Sequence, residues 1–526
     1  MSTNVVNLDA LMPREDLDVK SESFMTGGNT QKIEIPHLTG FIFGPDLRKP
    51  HFQRETNQWS PKKVVDLLTA FVDCDLIPAV ILWRAGKYIF VVDGAHRLSA
   101  ILAWLLDDYG DGAKSQAFFG GKIPDEQQRI AVKTRGMVNK AIGSFADYEQ
   151  ARKGVPKAAH IMDRLPLLSE CGVIAQWVPA PDAKSAEDSF FKINQSASPI
   201  DPTERRLLKA RNSASAIAAR AITNAGTGHK YWGAFSPVIQ AQVEEKAKGI
   251  AKLLWSPPVN GMPINTLDVP VAGKGYNALP FVFDLVNEVN KVGVADTTKK
   301  KEGADNLPPD LDGSLTLSYL KRVEKALSRI TTDESGALGL HPVVYFYTRG
   351  GEFKAEAFFA THRFVSELIE KDRLKKFTPV RAKFEDFLIA HKEALGLMVH
   401  KYGTGGRSIP QIHAYLGFVC ERFTAGDSDE QVTARLAGKD EFAFLTAPLP
   451  PLKVKKEGKM SFSTNTKTAI FFSTALESCP RCAYCDARLH TNSIHHNHKI
   501  PIAQGGHSGI KNGNLMHPYC DSIYTG

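Results

Sequence analysis

Fifty residues constrain this chain more than any others: ESCPRCAYCDARLHTNSIHHNHKIPIAQGGHSGIKNGNLMHPYCDSIYTG, 477–526, with four of the seven cysteines and six of the sixteen histidines. So short a segment buries too little apolar surface to be secure alone, and a structural metal is the usual remedy. Cys482 and Cys485 are spaced CxxC, which lets two thiolates reach one ion, and His517 and Cys520 form a second pair spaced HxxC. The two pairs together predict a closed structural zinc site.

Between them stands a set of polar groups that such a zinc does not need. His495, His496, Asn497 and His498 precede Pro501 and a Gly505-Gly506 turn, and Asn514 follows at the expected start of a short helical run. Phosphodiester hydrolysis needs a base that works near neutral pH and a cation to absorb charge on the phosphate, and this set offers both. A surface histidine tract, or a zinc ribbon that only holds structure, explains part of the pattern; neither explains HHNH together with Asn514. The order resembles the HNH, or beta-beta-alpha-metal, endonuclease family with its flanking zinc knuckle. The resemblance implies that His498, three places before Pro501, activates water. It also implies that Asn497 helps to bind a catalytic Mg or Mn ion and that Asn514 orients the catalytic loop or assists at the metal. Two departures stand out: the family's usual Asp is Asn497, and the sequence ends six residues after Cys520, where relatives carry further ligands. His496 is therefore a second candidate ligand.

At 526 residues the chain predicts two to four domains. Its net charge of +8 is compatible with nucleic acid but too small to identify that partner. No basic start followed by an apolar run opens it and no stretch of about eighteen apolar residues occurs, so a cytoplasmic protein without a membrane partner is expected. Cys74, Cys171 and Cys420 are scattered and expected to be packed thiols.

Toward the N-terminus, Ser60–Phe71 reads as a capped helix, and Ile77–Trp83 and Tyr88–Val92 as strands joined by a tight turn at Ala85-Gly86-Lys87. Asp93-Gly94-Ala95-His96-Arg97 then leads into a helix over Leu98–Leu106. Free N–H groups at a helix start favour an anion, Gly94 permits close approach, and His96 and Arg97 are its candidate contacts. The alternative is a tight turn in which Arg97 makes an internal ion pair. The run FQRETNQW…DLLTAFVDCDLIPAVIL…DGAHR resembles the ParB/sulfiredoxin-like domain of DUF262 proteins, the GmrSD-type modification-dependent restriction enzymes and their phosphorothioate-sensing relatives. Their DGQHR box is DGAHR here, and Glu187–Asn194…Glu204 is similar to a later segment of the same family. The resemblance implies that Arg54, Asp93, Gly94, His96, Arg97 and Asn194 line a pocket for a nucleotide, GTP or another triphosphate, or for a modified phosphate. Ala95 in place of Gln removes one amide contact.

Basic residues Arg205, Arg206, Lys209, Arg211 and Arg220 follow, with Tyr231-Trp232 after them, a mixture that suits either a phosphate ligand or a solvated helix face. The expected order is a lead-in over 1–37, the sensor domain over 38–250, a mostly helical middle over 251–445 with a polar insert near 291–313, a linker over 446–459, and the HNH module over 460–526. The fold class is α+β multidomain. The functional expectation is an HNH DNA endonuclease acting on double-stranded, phage or modified DNA under control of the N-terminal domain, in anti-phage defence, with room for a homo-oligomer. The alternative is a ParB-like DNA- or nucleotide-binding protein with a structural, non-cutting HNH module.

Overall fold

Runs of β-branched and aromatic residues build the first of two sheets. The computed structural model describes residues 5–15, 30–40, 43–51, 53, 55–121, 123–179, 185–187, 189, 192, 206–207, 210–259, 261–273, 278–292, 307–445 and 461–524. Arg54, Asn194, Arg205, Lys209, the centre of the polar insert and the linker over 446–459 lie outside them. The chain forms two compact units, one of residues 1–244 and 293–316, the other of residues 245–292 and 317–526.

The first unit is a mixed six-stranded sheet. Its strands are β1 (Arg14–Glu15), β2 (Lys32–Glu34), β3 (Leu47–Pro50), β4 (Val80–Ala85), β5 (Tyr88–Asp93) and β6 (Gly172–Trp177), in the order β1-β3-β5-β4-β6-β2. β4 and β5 are antiparallel neighbours around Gly86, whose φ of +54° suits glycine in so tight a turn. Val80, Leu82, Phe90 and Val91 are buried, as expected of central strands covered on both faces. Helix α1 (Pro61–Val72) is capped by Ser60, whose side chain accepts from the Lys63 N–H, and it packs against α3 (Asp125–Ala141). Between them, α2 (Ala95–Leu106) starts directly after β5 and buries Leu98, Ile101 and Trp104. Cys74 and Cys171, expected as separate packed thiols, are instead joined in a disulfide that ties the end of α1 to the start of β6. The alanine-rich α4 (Ala214–Thr223) is buried along almost its whole length.

The second unit is mostly helical. Helices α5 (Pro237–Trp255) and α6 (Ser314–Ile330) lead into it, followed by α7 (Ala355–Glu370), α8 (Arg381–Ala390), α9 (Glu393–Tyr402), α10 (Ile409–Thr424) and α11 (Thr464–Glu477). Leu340–Tyr347 is a buried run that contains a helical turn at Pro342–Tyr345. The helical run breaks between α8 and α9, where buried Lys392 turns inward and donates its Nζ to the carbonyls of Val343 and Val344. Among the described residues no helix is long and apolar enough to cross a membrane.

Residues 461–524 belong to this same unit. They end in an antiparallel hairpin, β7 (His495–His498) with β8 (Gly513–Met516), and a short helix, α12 (Pro518–Tyr524). Asn514, expected at a helix start, lies in β8. A buried ion pair fastens the region to the helices: Arg381, 2% exposed at its side chain, donates its Nε to Glu385 at 2.9 Å and its Nη atoms to the Leu338 and Gly339 carbonyls. Glu385 also accepts from the Arg488 N–H at 3.1 Å, and Arg488 reaches Asp386 at 2.5 Å. Removing one partner of such a pair strands the other in an apolar interior. Arg381→Met is therefore expected to lower the unfolding free energy of this unit by about 3–5 kcal/mol, read by urea denaturation.

Candidate metal centre and active site

Cys482 and Cys485 stand on a tight knuckle in which Asp486, at φ +55°, returns its N–H to the Cys482 carbonyl at 2.9 Å. Cys520 is on α12 and His517 immediately precedes that helix. The four ligand atoms lie within 4.8 Å of one another and all four residues are buried. Tetrahedral ligands around zinc are separated by roughly 3.5–3.8 Å, and the Cys485 Sγ to His517 Nδ1 distance is 3.4 Å. The opposite ring nitrogen of His517 donates to the Arg488 carbonyl at 3.1 Å, which turns the Nδ1 lone pair toward the sulfurs. Burial, and next the charge of Arg381, push the His517 pKa down, so the ring is neutral, as a metal ligand must be. Hydrogen bonds from the Cys485 and Cys520 thiols hold the Cys482 thiol well below its usual range, while contact with Cys482 raises the other two. A cation relieves that conflict, so the donor set fits a structural zinc ion. Around it the core is small: Ala487, Leu489 and Met516, with Ile494 and Leu515 against them.

The hairpin stands on this cluster, since the Ala483 N–H donates to the Leu515 carbonyl at 2.9 Å. Side chains alternate along a strand, so His495 and Asn497 share one face of β7 and His496 and His498 the other. Asn497 pairs in register with Asn514, and His498 with Gly513, which leaves no side chain opposite the imidazole. His498 is half-buried and its Nε2 lies 3.3 Å from Ser508 Oγ. Next to it the loop over 499–512 is clamped by buried Asn512, whose amide bonds both the N–H (2.9 Å) and the carbonyl (3.0 Å) of Ile500 and also the His507 carbonyl (2.9 Å). Gly506 closes the same loop: a Cβ there would come within 1.9 Å of the Ile500 oxygen.

Two residues that the sequence reading did not single out therefore help to build the site. Asn512 clamps the loop, two residues before Asn514. Asp521, one turn into α12, accepts from the Asn497 amide and lies 2.9 Å from His495 Nδ1. It thus brings a carboxylate beside Asn497. Its signal was available: it is the one acid in the last turns of sequence, directly after a metal-ligating cysteine. His496 is exposed.

In the first unit, Arg97 Nη2 pairs with Asp93 at 2.6 Å and donates to the Ala79 carbonyl at 3.1 Å, the internal arrangement that the sequence left as the alternative. Gly94, at φ +95°, packs so closely on Val80 that a Cβ would meet its Cγ1 at 2.5 Å. His96 stacks on Trp59 with ring centroids 5.6 Å apart. Thus Asp93, Gly94, His96 and Arg97 share one turn, while Arg54 and Asn194 lie outside the described residues. In comparisons with protein-family models, with curated proteins and with solved structures, nothing matches the chain.

The zinc assignment is checked directly. The purified chain is expected to carry about one zinc ion by atomic emission, and Cys485→Ser to carry almost none and to melt at lower temperature, because structural zinc supplies roughly 10–16 kcal/mol of folding free energy in small zinc modules. Asn512→Ala, by contrast, is expected to keep the zinc while exposing the 499–512 loop to protease.

Proposed function

We propose that this chain is a metal-dependent DNA endonuclease in which the C-terminal hairpin hydrolyses phosphodiesters and the N-terminal unit licenses the cut. The observation that carries this reading is the uncovered His498 at the end of a zinc-supported hairpin, opposite Gly513 and beside a loop fixed by Asn512. In this reading the His498 ring takes the proton from the attacking water, and Ser508 sets the orientation of the ring. Asp521 would hold a Mg or Mn ion with Asn497 and Asn514 as neutral oxygen donors; His496, on the opposite face of β7, would be the alternative donor to an ion on the His498 side. Bound there, the ion would offset the charge that develops on the scissile phosphate. The clamped loop presents exposed Lys499, Ile500, Ile502, Ile510 and Lys511 next to His498, a basic and apolar surface suited to a DNA backbone. The N-terminal unit, through its resemblance to modification-sensing domains, is the candidate sensor of a triphosphate or of modified phage DNA.

One observation favours a second reading, a DNA-binding protein with a non-cutting module. The Asn497 amide is engaged at both ends, its oxygen by the His498 N–H at 2.6 Å and its nitrogen by Asp521, which leaves it poorly placed to bind an ion.

Modified and unmodified phage DNA, incubated with Mg or Mn with and without each triphosphate, separates the two. Wild type is expected to cut. His498→Ala is expected to lose about 10²–10⁴ of the rate while keeping its zinc and its circular dichroism, and Asp521→Asn to lose cutting in a way that raised Mn partly restores. Undiminished cutting by pure H498A protein refutes the assignment of the base; DNA retention without scission by wild type under every condition establishes the second reading.

A further inference from the structure

A buried polar cluster lies in the first unit, beyond the DGAHR turn. Asp9 accepts from Lys49 at 2.6 Å and from Arg14 at 2.9 Å, and Arg14 and Lys49 complete their bonding with the Gln53 carbonyl (2.6 Å) and with the Asp9 carbonyl (2.8 Å) and Thr56 (3.1 Å). Burial alone would raise the Asp9 pKa, but the two cations hold it well below the carboxylate range. That group is internally satisfied.

Arg220, beside it, is not. It projects from α4, is 3% exposed, and its Nη1 has no hydrogen-bond partner among the described residues. Among the described residues no carboxylate comes within ion-pair distance of it. Its guanidinium lies over the Tyr231 ring at 4.0 Å. Around Tyr231 are His229, with ring centroids 4.6 Å apart, and His51, whose Nε2 is 3.2 Å from His229 Nε2. His51, Glu55, His229 and Tyr231 are only half-buried, so solvent reaches the cluster from their side. Three cations, Arg14, Lys49 and Arg220, face two carboxylates, Asp9 and Glu55, and burial followed by the charge of Asp9 raises the Glu55 pKa and weakens the negative side further. An unpaired buried guanidinium is among the most costly arrangements a fold can retain, and it is stable when an anion completes it. A planar fork with idle N–H groups matches phosphate oxygens, and a neutral imidazole pair adds an N–H donor. His229 is kept neutral by burial and by His51, its pKa drawn down to about 3.

We propose that Arg220, with Tyr231 and the His51–His229 pair, binds the phosphate group of a small molecule. The depth of the guanidinium favours a free phosphate compound over the backbone of a duplex. The inference rests on reading the N-terminal unit as a ligand sensor, and it does not depend on the nuclease chemistry.

The experiment uses the full chain, with thermal melting and equilibrium dialysis against orthophosphate, each nucleoside triphosphate and a duplex oligonucleotide. Wild type is expected to melt higher with orthophosphate or a triphosphate and to bind it saturably. Arg220→Met is expected to melt at or above the ligand-free wild type, because it removes an uncompensated charge, and to show no rise with ligand. Arg220→Lys is expected to bind at least tenfold more weakly. The proposal is overturned if wild type responds to no phosphate compound, if R220M responds as wild type does, if R220M melts well below wild type or fails to fold, or if only the duplex binds. A wild type that cuts DNA but binds no phosphate compound overturns this site and leaves the nuclease reading standing; a wild type that binds phosphate but does not cut DNA does the reverse.

Discussion

Three sulfurs and one imidazole in a volume a few ångströms across are the constraint on which the C-terminal half depends. Without a cation the thiols oppose one another's ionisation, and with one they become the strongest fixed point in a region that has little apolar core. His517 transmits that order: one ring nitrogen faces the sulfurs and the other is held by the Arg488 carbonyl. The residue that supplies this carbonyl is in turn anchored to α8 through Glu385 and Asp386. Ligand cluster, knuckle, hairpin and helical body therefore form one chain of contacts, and the site residues of β7 inherit their positions from it.

The same logic makes sense of the small helix α12. It carries a metal ligand, Cys520, and directly after it the carboxylate that reaches His495 and Asn497. The ligand cluster thereby fixes the distance between α12 and the β7 strand that carries His495 and Asn497. In the first unit the cluster around Asp9 has a comparable role without metal: it sets the cations of β1 and β3 in place by ion pairs and hydrogen bonds, while neighbouring Arg220 has no ion-pair partner among the described residues.

What could be read from the sequence follows how local each signal is. CxxC and HxxC are short-range spacings, and they name all four residues that the fold brings together. The β4–β5 hairpin and the helices on either side of it were legible from apolar periodicity and from Ser60 and Gly86. Asn512 and Asn514 could not be told apart, because only the folded loop decides which amide meets the Ile500 backbone. Asp521 stood in view directly after Cys520, but its partners did not, since its contacts come from a strand twenty-four residues earlier. Arg220 was grouped with its basic neighbours, as a phosphate contact or part of a solvated helix face, and the alanines around it are what bury it. Cys74 and Cys171, separated by ninety-seven residues, carry no spacing rule at all.

The two units are interleaved along the chain, and this bears on how a ribosome must deliver them. The first unit still lacks residues 293–316 when residues 245–292 of the second have already emerged, and the second then waits for everything after residue 316. Neither can be completed during synthesis before part of the other has been made. The body that carries the Cys482, Cys485, His517 and Cys520 cluster is thus among the last parts to close, so a truncated, partly translated chain would carry the N-terminal unit without an assembled ligand cluster.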